Sequence, residues 1–392
     1  MRQYVTVIGM SLLINLVMMP FVQAEDTKQN ELVEEAKAAL LLDRDTGTIL
    51  YEKNAEEELP PASMTKIMTL LLIMEALESE SLTLEEEITI SESAASMGGS
   101  QVFLEAGEVM SVEDLVKAIA IASGNDASVA LAERIAGTEK EFVKQMNDKV
   151  EELGLNHTKF ANASGLPAKE HYTTAHDMAM IAKELLKYEK IVNYTSIYED
   201  YLRKGEENEF WLVNTNKLVH FSPYIDGLKT GYTSKAKYGL TATAKKDDMR
   251  VVSVVMGADN TEDRNEMTMK LIDYAFQQFE SEKVYDKGDK VAELELQQAE
   301  DQVYDVVTSE QISLLQDKQQ TDEKPLQTDV HLYDEDISLP IEKGDTIGEL
   351  VISQDGEVIQ QSDLHVAKQV NYANYFTLWK RSIGFITKHT DI

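Results

Sequence analysis

Hydrophobic residues in the first 280 positions follow two different periods. Short apolar runs at 38–42 and 49–51, separated by a turn that contains Gly47, predict a β-hairpin. The runs 238–244 and 250–256 flank a polar turn and predict a second, buried hairpin. Longer segments with helical signals lie between the two hairpins. The pattern therefore predicts strands at both ends of this region and helices in its middle.

Capping residues predict where these helices begin and end. Ser111 with Asp114 resembles a capping box, Thr174 with Asp177 has the same spacing, and Asp126 is expected to cap a further helix. Glycines after the apolar positions mark two of the helix ends. The predicted helices cover 63–77, a segment from Ser111 to near Ala122, 126–137, 139–153, a segment that begins at Thr174, and 264–279.

After about residue 281 the pattern changes to short alternating runs, such as 291–296 and 348–352. Turn residues at Gly344 and Gly356 separate several of these runs, which is typical of a small β-rich domain. The polar stretch 318–329 is predicted to be a loop.

The last 24 residues carry an amphipathic pattern. Large apolar residues recur at steps of four and three, which places them on one helix face; they are Tyr372, Phe376, Trp379, Ile383 and Ile386. Lys380, Arg381 and Lys388 flank this stripe, and no acidic residue occurs between Lys368 and Thr390. The segment is too charged to span a bilayer, so we expect a helix that lies in a membrane surface. A helix packed on the β-rich domain is the alternative.

The chain begins with a segment typical of a secretory signal. Arg2 precedes an apolar run from 5 to 22, and Ala24 ends a small-residue cleavage site before acidic residues. An uncleaved anchor helix is the alternative, but the run is short and Pro20 interrupts it. Both interpretations predict an exported protein at the outer face of the cytoplasmic membrane or in the cell wall.

Composition excludes several kinds of chemistry. The formal charge of −33 disfavours nucleic acid as a partner, and the absence of cysteine excludes disulfides, thiolate catalysis and cysteine metal sites. His171 and His176 are five residues apart, a spacing that does not place two ligands on one helix face. We therefore expect neither a metal nor a cofactor.

A lysine in an apolar helix suggests a catalytic site. Pro60 and Pro61 introduce a helix in which Ser63 and Lys66 lie three residues apart and share a face, so the amine can reach the hydroxyl. Burial and the positive end of the helix favour a neutral amine, which could serve as the base for a serine nucleophile. Taken alone, the pair is more typical of a helix cap and a lysine that extends to solvent.

Two further motifs follow in the chain. Ser123-Gly124-Asn125 lies between two predicted helices, and Lys229-Thr230-Gly231 is expected to start a strand. Together with Ser63-Met64-Thr65-Lys66, they occur in the order that is the signature of penicillin-recognising serine acyl enzymes. From about residue 34 to 279 the chain resembles low-molecular-weight penicillin-binding proteins of the D-alanyl-D-alanine carboxypeptidase type. It is also similar to the sporulation-associated branch of Gram-positive carboxypeptidases.

The resemblance implies a fold and a domain order. The expected fold is α/β (α+β): a β-lactamase/transpeptidase-like domain with a central antiparallel sheet and a helical cluster, then a β-rich domain and an amphipathic helix. The expected boundaries are 1–24 for the signal peptide, 25–280 for the catalytic domain, 281–368 for the β-rich domain and 369–392 for the helix.

The resemblance also implies roles for individual residues. Ser63 is expected to attack the carbonyl between two D-alanines of a peptidoglycan stem peptide, or a β-lactam, after Lys66 takes its proton. Ser123 and Lys229 are expected to pass the proton to the departing D-alanine. The peptide N–H groups of Ser63 and Tyr232, where some relatives carry His, would form an oxyanion hole. The expected substrate-binding residues are Asn125, Thr230, Gly231, Tyr232 and Arg264.

Two other functions fit parts of the pattern. A class A β-lactamase shares the motif order, and Glu152-Leu153-Gly154-Leu155-Asn156 matches its Glu-x-x-Leu-Asn motif, although Glu152 lies in the last turn of a predicted helix. A sensor that binds stem peptides or β-lactams without turnover is the second alternative. Release of D-alanine from a peptide that ends in D-Ala-D-Ala distinguishes both from a carboxypeptidase.

Overall fold

The computed structural model describes residues 32–319, 326–333, 337–354 and 356–388. The predicted signal peptide and its cleavage site lie outside these residues. The first part of the chain is built on a five-stranded antiparallel sheet with the order β2-β1-β9-β8-β7. Both predicted hairpins are confirmed. The strands are β1 (Ala38–Asp43), β2 (Ile49–Lys53), β7 (Ile225–Thr233), β8 (Lys237–Lys246) and β9 (Met249–Ala258).

Both faces of this sheet are covered, which explains why its strands are apolar at almost every position. In β1, Leu40 and Leu42 belong to one core cluster, and Ala39 and Leu41 belong to the cluster on the opposite face. Helix α9 (Thr261–Gln278) packs against β8 and β9 on one side. The helical cluster covers the other side, where α1 (Lys66–Glu78) and α6 (Ala175–Leu185) lie against each other.

The other elements of this part are short. The helices are α2 (Glu92–Ala95), α3 (Val112–Ala120), α4 (Asn125–Ala136), α5 (Glu139–Glu152), α7 (Val192–Thr195) and α8 (Leu218–Phe221), with 3₁₀ turns at Ala62–Thr65 and Glu189–Ile191. Two small hairpins are formed by β3 (Glu87–Thr89) with β4 (Val109–Ser111) and by β5 (Glu199–Leu202) with β6 (Phe210–Val213).

The helix caps confirm two of the predicted starts and correct a third. Ser111 accepts the N–H of Asp114, and Thr174 accepts the N–H of Asp177. Asp126, in contrast, is not an N-cap: α4 begins one residue earlier, with Gly124 as its cap. The Asp126 carboxylate accepts backbone N–H groups from another segment, at Val102 and Leu104. Its short polar side chain therefore fixes a tertiary contact rather than a helix end.

The Lys229-Thr230-Gly231 motif lies inside a strand and does not start it. Strand β7 begins four residues earlier, at Ile225, and Gly231 pairs with Gly239 of β8. The predicted start was wrong because residues before the motif also pair with β8, and Gly227 lies in the strand beside a register shift. Since β7 is at the sheet edge, one row of its peptide groups is not used by the sheet.

The β-rich region after α9 is confirmed. Its strands are β10 (Phe279–Tyr285), β11 (Lys290–Glu295), β12 (Val303–Thr308), β13 (Ile312–Asp317), β14 (Leu326–Leu332), β15 (Thr346–Gln354) and β16 (Glu357–Val366). Five of them form a sheet with the order β11-β12-β16-β15-β14, and β10 pairs with β13. The loop predicted over 318–329 is partly wrong, because Leu326 to Asp329 pair with β15 despite their polar sequence.

The last described element is helix α10 (Tyr375–Lys388). Tyr372 lies before the helix and forms a β-bridge with Ala299, so its placement in the helical stripe was wrong. Arg381 donates hydrogen bonds to the carbonyl oxygens of Ala299 and Glu300 and therefore contacts the β-rich region. In contrast, Phe376 is 72% exposed. Over the described ranges, no helix has the length and apolarity that crossing a bilayer requires.

Candidate active site

The 3₁₀ turn Ala62–Thr65 presents Ser63 at the start of α1. Ala62 has a φ of 48°, a left-handed conformation that is uncommon for a residue with a Cβ and is typical of functional sites. The turn continues directly into α1, so that Lys66 follows Ser63 by one helical turn. The Lys66 Nζ atom lies 3.2 Å from Ser63 Oγ. The amine and the hydroxyl are therefore within proton-transfer distance.

Lys66 is completely buried and has no carboxylate partner among the described residues. Its Nζ atom donates to Asn125 Oδ1 at 2.6 Å and to the carbonyl oxygen of Ser164 at 2.5 Å. Burial, and secondarily the positive charge of Lys229, hold the pKa of Lys66 well below its ordinary value of 10.5; Asp126 opposes this shift. The environment therefore favours the neutral amine that a base requires.

The segment Ser123-Gly124-Asn125 leads into α4 and lies beside this amine. Ser123 is buried and adopts a φ of 64°, a second strained residue at the site. Besides accepting from Lys66, the Asn125 amide donates to the carbonyl oxygen of Gly98 at 2.6 Å. The Ser123 hydroxyl has no hydrogen bond within residues 32–319, so it is free to interact with a substrate.

Lys229 is the second buried lysine of the site. Its Nζ atom lies 3.4 Å from Thr215 Oγ1, and the Thr230 hydroxyl donates to the same oxygen at 2.8 Å. Burial, with a smaller effect of the Arg264 charge, lowers the pKa of Lys229 to about 7. Thr215 is also tied to the loop after α3 through a backbone hydrogen bond to Ile121. The motif of β7 and the Ser123 loop thus share one cleft.

Gly231 is required by close packing. A Cβ atom built there would lie 2.7 Å from the carbonyl oxygen of Pro61, so only glycine lets β7 approach the Ser63 turn. The next residue, Tyr232, points its ring outward, where it is 55% exposed and stacks on Tyr238 with 4.3 Å between ring centroids. Its peptide group lies on the edge strand β7.

Arg264 lies in the first turns of α9 and is 4% exposed. Its guanidinium donates to Asn265 Oδ1 and, like Lys66, has no carboxylate partner within the described ranges. Burial lowers the pKa of Arg264 to about 10, with Tyr238 opposing the shift. The positive charge of Arg264 also lowers the pKa of Lys229. An arginine held this way can bind an anionic group.

Sequence reasoning missed two groups that contact the two buried lysines. The first is the Ser164 carbonyl, carried on a loop in which Gly165 has a φ of 88° and abuts Ala62. The Asn162 side chain accepts the N–H of Gly165 at 2.7 Å and fixes this loop. The second is the Thr215 hydroxyl. A backbone acceptor leaves no side-chain pattern, and Thr215 lies in the polar run 214–217 without a recognisable motif, so neither gave a usable signal.

Two features that resemble functional motifs lie outside the site. Glu152, the apparent match to a β-lactamase motif, lies at the exposed end of α5 and pairs with Lys149 at 2.8 Å. Glu56, His176 and Asp177 bring three potential metal ligands within 4.8 Å of one another. One Asp177 oxygen accepts the Thr158 hydroxyl at 2.8 Å, and the other lies 3.2 Å from His176 Nδ1.

Comparison with known proteins gives matches over most of the chain. A family model described as D-alanyl-D-alanine carboxypeptidase matches residues 24–260, and one described as the C-terminal domain of penicillin-binding protein 5 matches 279–372. The chain is 48% identical to D-alanyl-D-alanine carboxypeptidase DacF of Bacillus subtilis over 96% of this chain and 98% of the relative.

Two solved structures are also similar to this chain. Penicillin-binding protein 5 of Haemophilus influenzae has a TM-score of 0.66 and 31% identity, and the match covers 86% of this chain and 98% of that one. Penicillin-binding protein D2 of Listeria monocytogenes, in its ampicillin-bound form, has a TM-score of 0.56 and 32% identity, covering 62% and 98%.

The contact between half-buried Ser63 and buried Lys66, the edge strand with Lys229 and the covered antiparallel sheet are the arrangement expected of a serine acyl-transfer enzyme. The chain belongs to the D-alanyl-D-alanine carboxypeptidase family of penicillin-binding proteins. Its activity is that of a serine peptidase that acts on peptidoglycan peptides ending in D-Ala-D-Ala, and the family is cell-wall associated and binds β-lactams.

Proposed function

We propose that Ser63 is the nucleophile that removes the terminal D-alanine and that neutral Lys66 is its base. The observation that carries this proposal is the 3.2 Å contact between Lys66 Nζ and Ser63 Oγ in a site that lowers the pKa of the amine. Lys66 takes the hydroxyl proton as Ser63 Oγ bonds to the carbonyl carbon between the two D-alanines. The result is a tetrahedral intermediate with a negatively charged oxygen.

Collapse of this intermediate breaks the peptide bond and leaves an ester on Ser63. The leaving D-alanine nitrogen must gain a proton, which Ser123 and Lys229 deliver. Support comes from the unoccupied hydroxyl of Ser123 and from the pKa of Lys229 near 7, which allows both protonation states to be populated. Water then hydrolyses the ester and regenerates Ser63.

The remaining site residues bind the substrate. The N–H groups of Ser63 and Tyr232 form the oxyanion hole, commonly the largest electrostatic contribution to acyl transfer. Thr230 and Arg264 hold the terminal carboxylate, which suits a buried guanidinium without an acidic partner. Asn125 contacts the substrate backbone, and Gly231 permits β7 to lie against the Ser63 turn.

The same attack on a β-lactam would leave a covalent adduct on Ser63. The Listeria relative was solved in an ampicillin-bound form, which supports this extension. Mass spectrometry of protein treated with benzylpenicillin should therefore show one adduct, on the peptide that contains Ser63. Ser63→Ala should lack both the adduct and D-alanine release from a D-Ala-D-Ala peptide. An adduct on another residue would overturn the assignment.

The D-alanine assay also separates the two alternative functions. A β-lactamase would hydrolyse the penicillin rapidly and release little D-alanine, and a sensor would form the adduct without turnover. The carboxypeptidase should release D-alanine in repeated cycles and be inhibited in proportion to its penicillin adduct. A role in sporulation stays a prediction.

We further propose that the chain is exported by its first 24 residues and binds the outer face of the cytoplasmic membrane through α10. Three large aromatic side chains of α10 are more than half exposed, and this is an unfavourable arrangement in water; they are Tyr375, Phe376 and Trp379. The first turn of α10 contains no acidic residue. An anionic, apolar surface such as a lipid interface fits both properties.

A chain that ends at Asn374 tests this anchor. This end point keeps Val370 and Ala373, which are buried in the β-rich region, and removes α10. The shortened chain should release D-alanine normally and stay in the supernatant, whereas the chain to Ile392 should sediment with anionic vesicles. High salt should weaken that binding only in part, because apolar contacts are not screened. Equal sedimentation of both chains would contradict the anchor.

A further inference from the structure

His171 is buried behind the Ser63 turn and takes part in none of the proposed proton transfers. Its Nε2 atom lies 2.8 Å from Thr65 Oγ1, and its Nδ1 atom accepts the backbone N–H of Ala161 at 2.9 Å. The residue is 7% exposed, and its ring packs edge-on against Phe160. Both ring nitrogens are therefore used in fixed contacts.

The contacts determine the protonation state of the ring. A backbone N–H can only donate, so Nδ1 carries no proton and the neutral ring has its proton on Nε2. Nε2–H then donates to the Thr65 hydroxyl. Burial lowers the pKa of His171 to about 4, which is consistent with a ring that stays neutral at physiological pH.

The two partners of His171 belong to the two segments that hold Lys66. Thr65 is in the turn that presents Ser63 and directly precedes the lysine. Ala161 begins the loop that carries the Ser164 carbonyl, the acceptor 2.5 Å from Lys66 Nζ. A parallel tie connects the same segments, since the Thr69 hydroxyl donates to the carbonyl oxygen of Ala163 at 2.7 Å.

We infer that His171 is a positioning residue, which joins the Ser63 turn to the loop of Ser164 through Thr65 and Ala161 and so fixes the distance between Lys66 Nζ and Ser63 Oγ. It does not touch substrate. This inference rests on the proposed roles of Ser63 and Lys66. A displacement of about 1 Å between reacting groups can cost about 100-fold in rate, so a rigid link behind the base affects catalysis directly.

Two substitutions at His171 distinguish the effect of its hydrogen bonds from the effect of its side-chain volume. Gln has an oxygen that can accept from Ala161 and an N–H that can donate to Thr65, whereas Leu fills the space without either bond. His171→Leu should lower the acylation rate constant with benzylpenicillin about 10- to 100-fold and lower kcat for D-alanine release with little change in KM. His171→Gln should restore the rate to within about threefold of the original protein.

His157→Leu is the matched control, because that side chain is half exposed on the surface, where it contacts Glu58. It should leave the acylation rate unchanged. Rates are referred to the folded fraction, determined from thermal unfolding of each variant. If His171→Leu lowers only the melting temperature and its folded fraction acylates at the original rate, or if His171→Gln is as slow as His171→Leu, the inference is overturned.

If His171→Leu does not fold, Thr65→Val provides a second test of the inference. It retains the branched shape and the Ala161 contact but removes the acceptor of Nε2–H. We expect acylation to slow about 10-fold; an unchanged rate would overturn the inference. Ser63→Ala distinguishes failure of the proposed nucleophile from failure of the role of His171. If Ser63→Ala is still labelled by benzylpenicillin, Ser63 is not the nucleophile. If Ser63→Ala is not labelled and Thr65→Val acylates at the original rate, only the role of His171 is refuted.

Discussion

The lysines of the catalytic region and those of the β-rich region differ in environment. Lys66 and Lys229 are at most 1% exposed, have no ion pair within the described ranges, and have lowered pKa values. Lys283, Lys290 and Lys368 lie on the surface, and hydrogen bonds to aspartates raise their pKa values. The same side chain is thus a potential base in one region and a permanent cation in the other.

The difference shows which region loses folding stability to its functional residues. A buried amine without a counter-charge opposes folding, because the unfolded chain can protonate it freely. The catalytic region offsets this with two large apolar clusters on the faces of its sheet. The β-rich region has one smaller cluster and exposed ion pairs, which contribute little to stability. Substitutions in the two regions should therefore have very different effects.

The largest expected effect comes from Lys66→Arg. A guanidinium does not lose its proton in a protein, so the variant lacks a base while keeping a positive charge. Acylation by benzylpenicillin should slow about 10²- to 10⁴-fold, the usual contribution of proton transfer. Lys290→Arg is the control from the β-rich region and should acylate at the original rate. Comparable rates in the two variants would remove the distinction between the regions.

The next effect concerns an ion pair near the start of β7. Arg250 donates two hydrogen bonds to the Asp226 carboxylate, both at 2.8 Å, and the pair is mostly buried. Asp226→Asn leaves the guanidinium without its counter-charge and should lower the free energy of unfolding by about 2–3 kcal/mol. Asp305→Asn breaks an exposed pair with Lys290 and should leave the melting temperature nearly unchanged. Denaturant titration measures both; equal losses would contradict the comparison.

The smallest expected effect is a pH-dependent gain in stability. The pKa of Lys229 is about 7 in the folded chain, so the unfolded chain binds more protons between pH 7 and about 10.5. Lys229 therefore destabilises the fold most near pH 7, and this effect disappears as the pH rises. Lys229→Met should be more stable than the original protein by about 1–2 kcal/mol at pH 7, and less so at pH 10. A difference that does not change with pH would show that Lys229 titrates normally.

Much of the fold could be predicted from local patterns. The hairpins, the caps at Ser111 and Thr174 and the β-rich region follow from alternation, turn residues and capping chemistry, which act within a few residues. The errors occurred where tertiary contacts decide the outcome. Asp126 bonds to a distant backbone segment, and the polar residues of β14 pair with β15.

The candidate site shows the same division. Three short motifs predicted Ser63, Lys66, Asn125 and Lys229, because catalytic side chains must be of particular types at particular spacings. The structure brings Ser63, Lys66 and Asn125 into direct contact. The Ser164 carbonyl could not be predicted, since every residue has one and only the folded loop aims it at Lys66.

The most direct test of the account is the pH dependence of acylation by benzylpenicillin. Lys66 acts as a base only when neutral, and its folded pKa lies well below 10.5, so the rate constant should rise with pH and reach its plateau well before that value. The Lys66→Arg variant should lack this rise. A rate that keeps increasing through pH 10.5 in the original protein, as an ordinary lysine would require, would contradict the claim that burial makes Lys66 the base.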